Sequence, residues 1–338
     1  MIAEGWIVPG PRGGPSRGTV IRSGAAVLVA VLVVLLLVRE RSMLEAGWDS
    51  VARADLRWLT SAAAGMVLLW TAGTVSQLGS IPGRVPVLRL FAVQMAGTFV
   101  NHVVPAGVGG MAVNARFMTR YGIPQAAAVG AIAINLAAGA LTHTALLAAA
   151  LLLAPSALTT ALSQGGSLAA GLTAHVRGGW PVVGAVVAAL LAVVLARRMA
   201  PGLRQRLTTA GAGAWAQLAV LGRVLRTPGR ATQLWLGSIA VPILHCLTLY
   251  AVLRSLSGTV PVLEVSVAYL IASSLSALLP SPGGFGALDV ALVAALVAVG
   301  TPTAVAVATV LAYRLLTVWI PLLPGAVVFA TLLRRRVI

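Results

Sequence analysis

The stretch Ser276–Asp289, SALLPSPGGFGALD, interrupts an apolar region and decides the fold. Pro280, Pro282, Gly283, Gly284 and Gly286 cannot be accommodated in one continuous helix. Helix-compatible apolar sequence flanks the break, Glu264–Leu279 before it and Phe285–Val299 after it. Irregular backbone at membrane depth survives only where protein or a watery cavity surrounds it. The break closes on Asp289, the only acid between 265 and 338. A second stretch, Asn101–Arg116 (NHVVPAGVGGMAVNAR), repeats this grammar around Pro105, Gly109 and Gly110. The two breaks are read as the working site and the remaining chain as the frame that holds them.

Composition sets the class. Of 338 residues, 59% are hydrophobic and only 9% charged, against about 25% charged in soluble domains. Mean hydropathy is +0.97. These values describe a polytopic membrane protein, all-α, with little room for a separate soluble domain. The net charge of +17 comes entirely from arginine, since the chain has no lysine. No acid lies between Asp55 and Glu264, so most arginines lack a carboxylate within the chain and lipid phosphate is the expected partner. Nucleic-acid binding is not expected. A single cysteine, Cys246, excludes an intrachain disulfide and a cysteine-built metal site. No nucleophile–base pair, P-loop or His-Glu-x-x-His motif is present, so no enzymatic activity, metal or cofactor is expected.

In chain order, 1–22 reads as a flexible basic tail and 23–336 as one transmembrane domain. The apolar run 23–38 is expected to be a retained first span rather than a cleaved signal, because no A-x-A-like site follows it. An interfacial helix is expected over 42–57, then spans over 58–78, 124–154, 180–196 and 231–253. The last apolar stretch, 303–333, reads as interrupted by Pro321 and Pro324. Segment 197–230 carries seven arginines and no acid, and reads as a cytoplasmic amphipathic loop.

Charge then fixes a topology. With both termini cytoplasmic, loop 197–230 stays inside only if each broken segment, 89–121 and 264–299, returns to the face it entered. The expectation is therefore about six full spans plus two re-entrant hairpins of opposite orientation. After each break the chain runs Gly-Gly, short helix, Gly-x-Pro, long helix. That correspondence suggests an inverted repeat, an architecture that places a transport site at the midplane.

The C-terminal pattern Pro280, Pro282, Gly283, Gly284, Gly286, Asp289, Gly300, Tyr313, Arg314, Pro324, Gly325 resembles that of the lysylphosphatidylglycerol synthase transmembrane-region family, the flippase-like membrane domain. The stretch Asn101, Pro105, Gly109, Arg116 resembles the family's first motif, and the likeness extends over 89–336. Asp289 stands where the family carries Glu, which shortens the reach of the carboxylate. Gly110, Met111 and Ala112 supply no acid where the first motif has one, which argues against a two-carboxylate mechanism. The soluble aminoacyl-transferase domain of full-length synthases is not expected here. The resemblance accordingly implies lipid translocation, or a role beside a separate transferase partner, rather than lipid synthesis.

The residues themselves suggest an anion site. Helices starting after Gly109-Gly110 and Gly283-Gly284 would aim free N–H groups and positive dipole ends inward. Arg116 and Arg314 would add fixed positive charge suited to a phosphodiester. Asp289 would pair with Arg314 or with a headgroup ammonium, and Asn101 would satisfy backbone exposed by its break. The expected ligand is an anionic or aminoacylated phospholipid, or a polyprenyl-linked lipid, in the plasma membrane. A secondary transporter of a small anion and a non-catalytic partner of a lipid or glycosyl transferase remain as alternatives.

Overall fold

The computed structural model describes residues 41–52, 54–103, 108–154, 226–277 and 286–338. The expected tail, the spans at 23–38 and 180–196, most of the basic loop, and Pro105, Pro280, Pro282, Gly283 and Gly284 lie outside them. The described residues form helices only: α1 Arg41–Ala52, α2 Leu56–Ser80, α3 Val87–Val103, α4 Val108–Arg120, α5 Gln125–Leu153, α6 Pro228–Ser255, α7 Val262–Ala277, α8 Ala287–Ala298, α9 Thr303–Arg314 and α10 Ile320–Arg334. A π-helical segment, Leu315–Trp319, joins α9 to α10. The chain is an all-α membrane protein. Among the described residues, four helical runs are long and apolar enough to cross a bilayer: α2, α5, α6 and the run Thr303–Arg334.

Local sequence explains where these helices begin and end. Asp55 caps α2, its carboxylate accepting the Arg57 N–H at 2.8 Å. Pro82 forces Ile81 into an extended conformation and stops α2 there. Pro228 starts α6 from the first turn, where its missing N–H costs nothing. Gly122 and Gly300, at φ 78° and 93°, adopt the left-handed conformation that closes α4 and α8. Beyond them Ile123 and Thr301 donate back to the carbonyls of Met118 and Leu296.

The last helix corrects one expectation. Pro321 and Pro324 do not interrupt it, and Thr303–Arg334 runs on as 32 helical residues. Pro321 falls in the first turn of α10, directly after the π-helical segment. A wider helical turn leaves groups without their usual partners in any case, so a proline ring is tolerated beside it.

The helices α2 and α6 form the most extensive pairing. Gly79 lies against Arg230 and Leu234, Gly237 against Ala72 and Ser76, and Gly65 against Thr248. One residue number rises as the other falls, so the two helices are antiparallel. Small residues let the backbones approach, as membrane interfaces require in the absence of a hydrophobic drive. A polar seam reinforces the contact: Ser76 and Ser238 hydroxyls lie 2.9 Å apart, and Asn135 of α5 donates to Ser76 at 2.7 Å.

The helices α3 and α4 form an antiparallel hairpin by the same reasoning. Arg89 donates to the Tyr121 hydroxyl at 2.6 Å at its open end, Gln94 to Asn114 at 3.2 Å midway, and Asn101 meets Gly110 near its apex. At 1.5 Å per residue its arms are about 26 and 20 Å long, shorter than a bilayer core. The chain therefore leaves this hairpin at the end where it entered. Along the second broken segment α7 packs against α8, and α8 against α9.

Two hydrophobic cores mark the ends of the bundle. One joins Ile81, Leu90, Ile123, Leu332 and Ile338, at the open end of the first hairpin. The other joins Leu253, Val260, Val265 and Leu296, beside the bond from the Asp55 N–H to the Ser255 carbonyl. The two broken segments thus enter the bundle from opposite ends. The α3 arm packs on α10 and the α8 arm on α9, so each broken segment takes one half of the last helix.

Candidate functional site

Arg314 ends α9 eleven residues after Thr303, about 16 Å along the helix axis. Asp289 lies in the first turn of α8. The turn Val299–Pro302 folds α8 back along α9, so that these two side chains meet away from it. Both are buried, Asp289 at 6% exposure and Arg314 at 5%. The Arg314 Nε faces Asp289 Oδ1 in a close ion pair, and Nη2 lies 3.4 Å from Oδ2. A buried charge without a counter-charge is costly, and this arrangement removes that cost for both groups.

Asp289 has a second duty. Its Oδ2 accepts the Gly286 N–H at 2.9 Å, satisfying a backbone donor at the start of α8. Gly286 itself is at φ 85°, a conformation side-chain-bearing residues rarely adopt. One carboxylate therefore fixes the helix start and neutralises the arginine.

A cavity of about 360 Å³ opens beside the pair. Its walls include Trp70 of α2, Gln94, Thr98 and His102 of α3, His245 of α6, Tyr269 of α7, Leu288 of α8, and Tyr313, Arg314 and Thr317 along the last helix. His102 stands near the apex of the first hairpin and Leu288 next to Asp289, so both broken segments reach the same space. Cavities of this size accommodate small ligands or headgroups.

The polar groups on these walls are organised. His245 Nδ1 lies 2.7 Å from the Tyr313 hydroxyl, and its ring stacks on Tyr269 with centroids 5.4 Å apart. His102 Nδ1 contacts the Thr98 carbonyl at 2.8 Å. Since a carbonyl can only accept, His102 carries its proton on Nδ1. His143 lies against the α7 hydroxyls of Ser274 at 3.1 Å and Ser273 at 3.2 Å, binding α5 to α7. Among the described residues no group of three or more His, Cys, Asp or Glu could hold a metal ion.

The expected site residues separate into three places. Asp289, Arg314 and Gly286 converge as described. Asn101, Gly109 and Gly110 gather at the first apex, where Asn101 Oδ1 accepts the Gly110 N–H at 2.6 Å. There Val100 leaves no space for a Cβ on Gly109. Arg116 sits on the exposed face of α4 and does not line the cavity. The wall formed by His245, Tyr269, Tyr313 and Trp70 escaped the sequence reading as a unit. Its one sequence signal is the Tyr313-Arg314 pair.

These features define a class, a multi-pass α-helical membrane protein with a buried acid–base pair beside a largely apolar cavity that carries a few polar groups, reached by two opposed broken segments. Residues 23–325 match the model of the family described as lysylphosphatidylglycerol synthase TM region. The chain belongs to that family, a membrane region named for a lipid-related protein. None of the curated proteins compared matches the chain.

Proposed function

We propose that this protein moves an anionic or aminoacylated phospholipid, or a polyprenyl-linked lipid, between the leaflets of the plasma membrane. The observation that carries the reading is the Asp289–Arg314 pair buried beside a cavity that both broken segments reach. Arg314 provides a planar fork matched to a phosphodiester. Asp289 holds it when the cavity is empty and yields it, or turns to a headgroup ammonium, when a lipid arrives. The acyl chains stay in the bilayer while the headgroup crosses through the cavity, past Arg314 and the polar groups on its walls. In this reading the protein catalyses no covalent step, and both termini and the open end of the α3–α4 hairpin face the cytoplasm. Membrane lipids are its partners, and a separate transferase supplies any lipid synthesis.

Reconstitution tests the proposal. Liposomes containing the protein and headgroup-labelled phosphatidylglycerol or lysyl-phosphatidylglycerol are exposed to a membrane-impermeant quencher. Protein-dependent loss of the protected label, slowed in Asp289→Asn and Arg314→Gln, is the expected result. Loss at the rate of empty liposomes for every lipid tried would overturn it in favour of a small-anion transporter or an accessory membrane partner.

A further inference from the structure

The charges around the cavity do not balance once an anion enters it. Arg314 is already neutralised by Asp289, so the empty site carries no net charge from that pair. A phosphodiester brings a negative charge into a space walled largely by apolar helices. A buried charge of this kind requires a counter-charge. No lysine exists in the chain, and among the described residues Arg314 is the one arginine on the cavity wall. What the cavity does offer is imidazole, a group that becomes a cation by binding a second ring proton.

His245 is placed for this task. The titratable and charged groups facing it from the surrounding helices are His143 on α5, Tyr269 on α7, Tyr313 and Arg314 on α9, Asp289 on α8 across the arginine, and His102 on the opposite cavity wall. Its Nδ1 shares a proton with the Tyr313 hydroxyl at 2.7 Å. With neutral His245, Nδ1 can accept that bond while Nε2 holds the ring proton, and the tyrosine is then the donor. A second ring proton reverses the bond: Nδ1–H donates to the Tyr313 oxygen, and the hydroxyl hydrogen is released to point elsewhere. Tyr313 and Arg314 are adjacent and both line the cavity.

We propose that an anionic headgroup enters this cavity together with a proton, which binds His245 and turns the Tyr313 hydroxyl from the imidazole toward the anion. The inference rests on the lipid-anion reading above and gives that site a co-substrate. The proton comes from water, forms the second N–H of the ring, and leaves the same way when the headgroup departs. No bond other than N–H and hydrogen bonds is made or broken. Each turnover then carries one proton with one phosphodiester, and a proton gradient across the membrane can drive the lipid. By reciprocity, whatever factor the proton adds to anion affinity, the anion adds to proton affinity.

Calorimetry on the purified full-length protein in detergent tests this without transport. Short-chain phosphatidylglycerol is titrated at pH 6 and pH 8 in buffers of differing ionisation enthalpy, which reports protons taken up per anion bound. The expected result is net proton uptake and binding about tenfold tighter at pH 6, an ordinary size for coupling between two ligands. His245→Gln abolishes the uptake and levels the two affinities. Tyr313→Phe keeps the uptake and weakens binding at pH 6. Binding with equal affinity at both pH values and no uptake overturns the inference alone. Uptake that survives His245→Gln assigns the proton elsewhere and also overturns it. No binding at either pH overturns the lipid-anion reading and this inference together.

Discussion

A Cβ placed on Gly237 of α6 would lie 2.4 Å from the backbone nitrogen of Ser76 and 2.7 Å from the Ala72 carbonyl of α2. The obstacle is backbone on both counts, so no side chain can swing aside. The contact sits at the centre of the antiparallel α2–α6 pair, next to the bonded hydroxyls of Ser76 and Ser238. Gly237→Ala is expected to force the helices apart and destabilise the protein by about 1–3 kcal/mol, the usual size of overpacking. Thermal unfolding in detergent measures it. Gly139→Ala is the control, since nothing lies within 4 Å of its added Cβ.

The buried ion pair makes an asymmetric prediction. Asp289→Asn removes the carboxylate that faces Arg314, and Arg314→Gln removes the cation that faces Asp289. Each is expected to cost about 3–5 kcal/mol of stability. The double variant Asp289→Asn/Arg314→Gln removes both charges and is expected to recover most of that loss. Transport should stay slow in the double variant, because the phosphate fork is gone. Equal destabilisation in single and double variants would show that the two charges do not depend on one another.

Asn101 holds the first apex through one bond, from the Gly110 N–H to its side-chain oxygen. Asn101→Ala leaves that N–H without its acceptor, at an expected cost of about 1–2 kcal/mol. Thr119→Val, which removes only an exposed bond within α4, should change little. Denaturation in detergent that ranks the two variants the other way would contradict the assigned role.

The hairpin geometry predicts sidedness. In a Cys246→Ser background, which removes the one native thiol, cysteines are placed at exposed Arg84, Arg120, Thr259 and Thr303. An impermeant maleimide added to intact cells should label positions 259 and 303 and spare 84 and 120. Inside-out vesicles should show the reverse. Labelling of 84 and 120 from opposite faces would mean that 89–121 crosses the membrane.

Much of the frame was readable because spans are written in composition. The expected 58–78, 124–154 and 231–253 correspond to α2, α5 and α6, since apolar runs bounded by proline, glycine and arginine leave few other endings. The two breaks were readable because proline and glycine act locally. The continuity of Thr303–Arg334 was not, because a π-helical segment has no composition signal and the prolines beside it argued for a break. The His245–Tyr313 contact joins residues 68 positions apart, and such long-range pairings follow from packing rather than from spacing. Arg116 shows the opposite limit: its motif position suggested a ligand, whereas its helical face points away from the cavity.

The π-helical segment Leu315–Trp319 begins at the residue after Arg314. A π turn holds roughly one more residue than an α turn, and one residue rotates a helix by about 100°. This is the geometry an insertion leaves in a helix. Losing one residue inside the segment would return it to an ordinary α turn with the faces of α9 and α10 still in phase, whereas losing one elsewhere in the helix would swing one half by about 100° against the other. With α8 seated on α9 and α3 on α10, only the first of these keeps both contacts. The wide turn thus holds slack for a single residue, so this helix should tolerate a one-residue deletion within Leu315–Trp319 far better than one on either side.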